Sequence, residues 1–397
     1  MGTTEHRLDD NLQFQDRFYE NYSNSKITLS SVLNTKFSAK ASLRSGFYVN
    51  QLYYNLREDN YEEETQSLET NINSKGNTQS VQAFSQLNYR ANERLTVNLG
   101  LHYLQLLLNN SSSVEPRLSA SYALDEKQRL TFGYGLHSQV QPLGTYFVEQ
   151  EVNGQIILPN KDLGLSKSHH FVLGYDRSLT PYLRMKVETY YQHLFNIPIK
   201  SGTDETYSII NQQWTFATDP LVNEGFGRNY GVELTLEQFT HNDLYFLLST
   251  SVYSSTYKTN EDVWRNTAYN GNFNVTFTAG KEFKLKKERV LGLNVRAIYS
   301  GGLRTTPLNL EESIEKGEGV YDDNLAYSSQ NPSYFRTDLR LSLKKNKAKS
   351  TRTWALDIQN ATNRQNVYGS YFEPMSNEIE ISYQAPLIPI LSYRVEF

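Results

Sequence analysis

In the segment QRLTFGYGLHS, Leu130, Phe132, Tyr134 and Leu136 fall on one parity, and Arg129, Thr131, Gly133, Gly135 and His137 fall on the other. A β-strand sends successive side chains to opposite faces, so this segment has one apolar face and one wet face. The period recurs in LRMKVETYY, where Leu183, Met185, Val187 and Tyr191 oppose Arg184, Lys186, Glu188 and Gln192. FRTDLRLSLKK sets Leu339, Leu341 and Leu343 against Arg336, Asp338, Arg340 and Lys344. It persists to the C-terminus, where Leu391, Tyr393, Val395 and Phe397 of LSYRVEF oppose Ser392, Arg394 and Glu396. Period two sustained in this way predicts half-buried strands, not helices. LGLHYLQLLL changes phase near Tyr103, which predicts either a bulge or simply a poorer strand pattern, and YFLLSTSVY leaves its phase open.

The spacing of the strands narrows the architecture. About fifteen strands are predicted, and the gaps between them alternate in length. Short gaps fall near residues 35–39, 91–94, 125–128, 179–181, 240–243, 286–289 and 345–350. Longer ones fall near 58–76, 141–166, 197–226, 258–270, 302–331 and 363–378, with one of only medium length near 109–114. Tight turns at one end and long polar loops at the other describe an all-β, antiparallel up-and-down transmembrane barrel of the outer-membrane type. A soluble sandwich has no reason to segregate loop length in this way.

Composition agrees. The chain holds 29 Tyr and 19 Phe but only 3 Trp, and Tyr suits a position with one apolar side and one wet end. Tyrosines gather at strand ends before the long loops, and Tyr53, Tyr54, Tyr190, Tyr191, Tyr253, Tyr299 and Tyr371 are the expected aromatic girdle. A net charge of −4 gives no basic excess, so no nucleic-acid partner is expected. The absence of cysteine removes disulfides and thiolate metal sites. No run approaches the ~18 apolar residues of a spanning helix. The polar average of the chain does not oppose a barrel, because only one face of each strand meets lipid.

Strand direction predicts what lies ahead of residue 26. In bacterial barrels the short turns and both chain ends lie in the periplasm. Counting back from Phe397, the first strand, near KITLSSVLNTKF, also descends, so residues 1–25 are expected as the remnant of an extracellular loop and 26–397 as the C-terminal portion of a barrel. On this reading the sequence is truncated, with earlier strands and a secretory signal lying before MGTTEHRLDD.

Several stretches together resemble the barrel of TonB-dependent outer-membrane receptors, especially the Bacteroidetes kind. They are EPRLSASYAL (115–124), LPNKDLGLSKSHHFVLGYD (158–176), VETYYQHLFNIPI (187–199), GFGRNYGVELTLEQ (225–238), YFRTDLRLSLKKN (334–346), WALDIQNATNRQNVYG (354–369) and LIPILSYRVEF. The resemblance implies a barrel of 22 strands around a plug, of which this chain supplies the later part. It implies TonB-dependent uptake of a small nutrient ligand: a siderophore, a corrinoid, an oligosaccharide or a peptide. Outer-membrane lipid and the barrel-assembly machinery are the implied partners, with TonB reached only through a plug that this chain lacks. Leu391, Tyr393, Val395 and Phe397 are the expected assembly signal. Import by the chain alone is not expected. The alternatives are a passive pore or non-functional fragment, and a soluble all-β binding module.

Catalytic chemistry is not legible. G-x-S-x-G, the phosphate-binding loop and H-E-x-x-H are all missing, and the glycines of GYGLHS and GFGRNYG complete no dinucleotide fingerprint. Adjacent strand residues His169 and His170 point to opposite faces and do not share a metal. No cofactor, metal site or enzymatic activity is expected. His137, Asp176 and the serines form no recognisable trio. Asp322, Asp323 and EESIEKGE read as a solvated acidic loop. Trp214, Trp264 and Tyr321 lie in long loops, where they are candidates for stacking on a ligand ring or for anchoring the loops to one another.

Overall fold

The computed structural model describes residues 2–8, 14–62, 65, 67–202, 205–213 and 216–397. Sixteen strands form one antiparallel meander in which each pairs with its neighbours in sequence. They are β1 Gly2–Leu8, β2 Phe14–Lys36, β3 Ala41–Glu62, β4 Ser67–Arg90, β5 Leu95–Leu106, β6 Ser111–Ala123, β7 Gln128–Gln139 and β8 Ser166–Thr180. Then follow β9 Leu183–Lys200, β10 Leu221–His241, β11 Leu244–Lys258, β12 Phe273–Leu285, β13 Arg289–Ser300, β14 Tyr334–Lys347, β15 Ser350–Gln359 and β16 Ile388–Glu396. Among the described residues the sheet is not closed: β1 pairs with β2 alone and β16 with β15 alone.

The tight turns sit at one end. Asn242 and Asp243 join β10 to β11 with φ of 52° and 60°, the left-handed pair that matches the twist of a two-residue hairpin. Lys287 and Glu288 repeat the device between β12 and β13, with φ of 62° and 55°. At the other end the connections are long and structured. Residues 301–333 contain the helix Leu310–Lys316, whose N-cap Asn309 accepts from the Glu312 amide at 3.2 Å and whose stop is the left-handed Gly317. The EESIEKGE stretch, expected as an open acidic loop, is therefore largely this capped helix.

Four expectations are corrected. Residues 58–76 are mostly strand, because β3 runs to Glu62 and β4 starts at Ser67. Residues 14–25, expected as loop, extend β2 and pair with β3 and β1. Residues 107–110 form only a short turn between β5 and β6. β5 has no bulge: its pairing with β4 and β6 runs without a register shift. The phase change in its sequence arises because both faces are apolar toward the loop end. Leu99 and Leu101 are 50% and 53% exposed on the outer face, while Leu104 and Leu106 are buried on the inner one.

The outer face is a continuous apolar band. Leu29, Leu33, Leu99, Leu101, Leu173 and Val232 all lie on it and are at least half exposed. Apolar area on that scale exceeds what a water-soluble surface carries. Polar residues take the inner parity, for instance Arg340 and Asp357, which pair at 2.7 Å across β14 and β15.

Candidate functional site

Two of the long connections fold inward over the inner face. Tyr146, Phe147, Val148 and Leu163 from residues 140–165, with Ala217 and Leu221, bury themselves against Tyr54 and Leu56 of β3, Ile72 of β4 and Leu106 of β5. The rings of Tyr54 and Phe147 lie 4.5 Å apart, and Val148 makes a β-bridge to Ile72. Asparagines fix the backbone here. Asn160 donates to the Asp219 carbonyl at 2.8 Å and accepts from the Leu221 amide at 2.7 Å, and Asn223 accepts from the Gly164 amide at 2.7 Å. The Tyr257 hydroxyl donates to the Thr206 carbonyl at 2.8 Å and ties the second connection to β11. The strand ends and their loops therefore share one core.

Beside this core the inner wall holds two adjoining cavities. One, of about 630 Å³, is lined by Arg44, Tyr48, Phe84, His102, Arg117, His137 and His170 among others. The second, of about 600 Å³, reaches the loop core through Gln192, Ile209 and Phe216 and shares His137 and His170 with the first. Register creates the wall. His102 of β5 stands directly opposite Glu115 of β6, and Arg117 stands opposite Gly135 of β7. Gly135 leaves room for the His137 ring, since a Cβ there would lie 2.6 Å from His137 Nε2 and the imidazole would have to turn aside.

Glu115 organises the wall. It is 1% exposed and accepts from His102 Nδ1 at 2.9 Å, from an Arg117 guanidinium nitrogen at 2.8 Å, and from the Ser138 amide and hydroxyl. Its charge is committed to these donors. Arg44 makes no ion pair among the described residues, so the cavity lining carries an excess of cationic and hydrogen-bond-donating groups. Such a surface suits an anionic or acceptor-rich solute with aromatic parts, which Tyr48 and Phe84, stacked at 6.1 Å, could cover.

The predicted site residues are dispersed. Tyr53, Tyr191 and Tyr299 lie on the outer face and are 42%, 43% and 45% exposed. Tyr54 points the other way into the loop core, and Tyr190 and Tyr253 also occupy the inner parity, packed around Gly231. Consecutive strand residues cannot both join a lipid-facing girdle. Tyr371 belongs to the hairpin Val367–Glu373/Glu378–Tyr383 and bonds Glu380 at 2.9 Å. Trp264 sits in the short strand Trp264–Asn266 against β11, with the Arg228 guanidinium 4.1 Å from its ring centre. Tyr321 makes a backbone bridge region with Leu308 and is exposed, and neither residue lines the two cavities. Trp214 lies outside the described residues.

Asp176 is paired with Arg184 and does not join His137. His169 stacks with Tyr134 and Phe195 on the outer face while His170 meets His137 on the inner one. The cluster of His102, Glu115, Arg117 and Ser138 was missed in the sequence. Its signal was the polar inner parity of His102 on β5 and of Glu115 and Arg117 on β6, which Ser138 joins from the end of β7.

Comparison with known proteins decides the family. The family described as TonB dependent receptor-like, beta-barrel matches residues 2–363. The chain belongs to that family. TonB-dependent receptors are outer-membrane receptors and transporters, a family of carriers and not of enzymes. No curated protein sequence matches the chain. Among solved structures it is similar to the ferric yersiniabactin uptake receptor of Yersinia pestis, with a TM-score of 0.63 and 13% identity, covering 96% of this chain and 55% of that one. It is also similar to the ferric preacinetobactin receptor of Acinetobacter baumannii (TM-score 0.61, 13% identity, 97% and 56% covered). The pyoverdine receptor of Pseudomonas aeruginosa gives a TM-score of 0.65 at 11% identity, with 97% and 55% covered. At these identities the likeness shows the fold, and the chain spans about half the length of the receptors it matches.

Proposed function

We propose that this TonB-dependent receptor barrel captures a nutrient ligand at the inner-wall cavities and serves its import. The single observation that carries this reading is the wall of Arg44, Arg117, His137 and His170 beside loops docked on the inner face. The Arg44 guanidinium, unpaired among the described residues, together with the hydrogen-bonding imidazoles and the rings of Tyr48 and Phe84, favours an anionic, partly aromatic chelate over a neutral oligosaccharide. Uptake of ferric siderophores by structurally similar receptors supports that class. Corrinoids and peptides are the other ligand classes to be compared.

In the working receptor, further strands would pair with β1 and β16, and the energy would come from TonB through a plug that it contacts. Support comes from the two unpaired sheet edges, which are costly in lipid, and from the half-length match to solved receptors. The motifs of EPRLSASYAL and WALDIQNATNRQNVYG favour the Bacteroidetes type. Leu391, Tyr393, Val395 and Phe397 share the outer face, with Phe397 fully exposed, and we assign them as the strand read by the assembly machinery.

The test is equilibrium binding to outer membranes bearing the native polypeptide. Ferric catecholate and carboxylate chelates, a corrinoid, an oligosaccharide and a peptide are compared. Saturable binding of an anionic chelate is expected. A steady open conductance with no saturable ligand would replace this reading with a passive pore. The intact mass of the native polypeptide reports whether further strands exist, and a mass of 45.8 kDa would remove the import claim.

A further inference from the structure

A line of positive charge crosses the turn end of three C-terminal strands. On the outer face Arg289 of β13 lies directly opposite Lys345 of β14, and Lys345 lies directly opposite Arg352 of β15. Directly opposed side chains stand with Cβ atoms about 5 Å apart, and like charges at that spacing repel. Of the nearby carboxylates, Asp243 pairs with Lys284 at 3.2 Å, Asp357 with Arg340 and Glu396 with Arg394 at 3.0 Å, and Glu288, next to Arg289 in the turn, leaves two cations over even if it is counted against them. Among the described residues, none of the three cations makes an ion pair. Arg289 Nε is buried and has no hydrogen-bond partner. Three opposed cations with an unsatisfied guanidinium nitrogen form a surface that an external anion would complement.

The same face shows what kind of anion. One pleat toward mid-strand from the cations lie Leu291, Leu343, Trp354 and Tyr393 in register, and the Trp354 and Tyr393 rings are 4.3 Å apart. Beyond them an apolar groove of about 530 Å³ is lined by Leu293, Val295, Leu339, Leu341, Leu356 and Ile358. The order along the strands is cations, then aromatic rings, then aliphatic groove. That is the polarity profile of one amphiphile: a charged head, an interfacial region and an acyl chain.

We propose that Arg289, Lys345 and Arg352 bind the phosphate of an anionic phospholipid in the leaflet at the turn end, with an acyl chain along the groove. The inference rests on the membrane reading of this barrel. A zwitterionic lipid offers the same phosphate, but its ammonium group cancels the net charge. A free phosphate leaves the groove unused.

Trp354 supplies the probe. The chain has three tryptophans, so the full chain carrying Trp214→Phe and Trp264→Phe retains Trp354 as the single indole fluorophore. It is reconstituted in phosphatidylcholine vesicles containing rising fractions of brominated phosphatidylglycerol or of brominated phosphatidylcholine, and quenching by bromine reports lipids in contact with the ring. The brominated phosphatidylglycerol is expected to reach half-maximal quenching at a several-fold lower mole fraction than its zwitterionic counterpart. That preference is expected to shrink in high salt, where the Debye length falls to about 3 Å. It should vanish in Arg289→Gln/Lys345→Gln/Arg352→Gln and survive millimolar inorganic phosphate. Equal quenching by both lipids in the parent overturns the proposal. Loss of the preference on adding inorganic phosphate also overturns it, in favour of an aqueous anion site. Absence of quenching by either lipid would sink the membrane reading itself, and this inference with it. Should the triple variant fail to insert, the parent's preference and its salt dependence decide the matter.

Discussion

The imidazoles of His137 and His170 lie 4.6 Å apart across β7 and β8, and the pair forms the boundary between the two inner-wall cavities. A ligand too large for one cavity must pass or touch both rings. The pair thus joins the cavity on the barrel wall to the one that reaches the loop core.

Replacing His137 and His170 together by Ala is expected to weaken ligand binding by at least about tenfold, the effect of losing roughly 1.4 kcal/mol at a contact hot spot. Arg44→Ala is expected to weaken it further for an anionic ligand and little for a neutral one. Binding isotherms on outer membranes, with folded receptor quantified in parallel, provide the check. Isotherms unchanged in both variants would remove these cavities from the binding path.

Glu115 gathers four donors while 1% exposed, so its removal leaves them without their acceptor. Glu115→Ala is expected to cost about 1–3 kcal/mol for the unsatisfied partners. Glu115→Gln keeps an acceptor oxygen and should cost less. The readout is the temperature at which the folded, fast-migrating band disappears in a gel. Equal transitions for Ala and parent would show that the wall does not depend on this carboxylate.

Leu106 is 1% exposed inside the loop core, whereas Leu101 on the same strand is 53% exposed on the outer face. Leu106→Ala leaves a cavity, and buried Leu→Ala changes cost about 2–5 kcal/mol. Residues 140–165 should then undock and become sensitive to protease. Leu101→Ala opens no cavity, because lipid fills the space, and should leave protection intact. Similar cleavage in the two variants would refute a specific loop core.

The sequence carried the strand plan because alternation and turn chemistry are local. LSYRVEF and QRLTFGYGLHS read correctly from parity alone, and Asn242-Asp243 marks its own turn. The wall around Glu115 was not legible, because His102 meets Glu115 only through the register that the 107–110 turn sets between β5 and β6. Leu106 misled for a related reason: its burial depends on loops more than thirty residues away in sequence, which no local period encodes. Tyr53 and Tyr54 show the converse error, where composition suggested a girdle that alternation forbids for one of them.

The docked loop also carries a pH-dependent element. Glu149 follows Val148 in the segment that pairs with β4, and its amide donates to the Asn71 carbonyl at 2.8 Å. Burial pushes the Glu149 carboxyl above its usual range, the nearby Asp59 adds to the rise, and a hydrogen bond to the Asn73 backbone partly offsets it. A raised acid binds its proton more tightly in the docked state than in the undocked one. Docking is therefore strongest below the ordinary carboxylate value and weakens as pH rises through the raised one. Hydrogen exchange of residues 140–157 should quicken, after correction for intrinsic rates, as pH passes through that window. Glu149→Gln should remove the added dependence and hold the loop docked at the higher pH. If the parent and the Gln variant exchange with the same corrected pH profile, Glu149 does not control the loop.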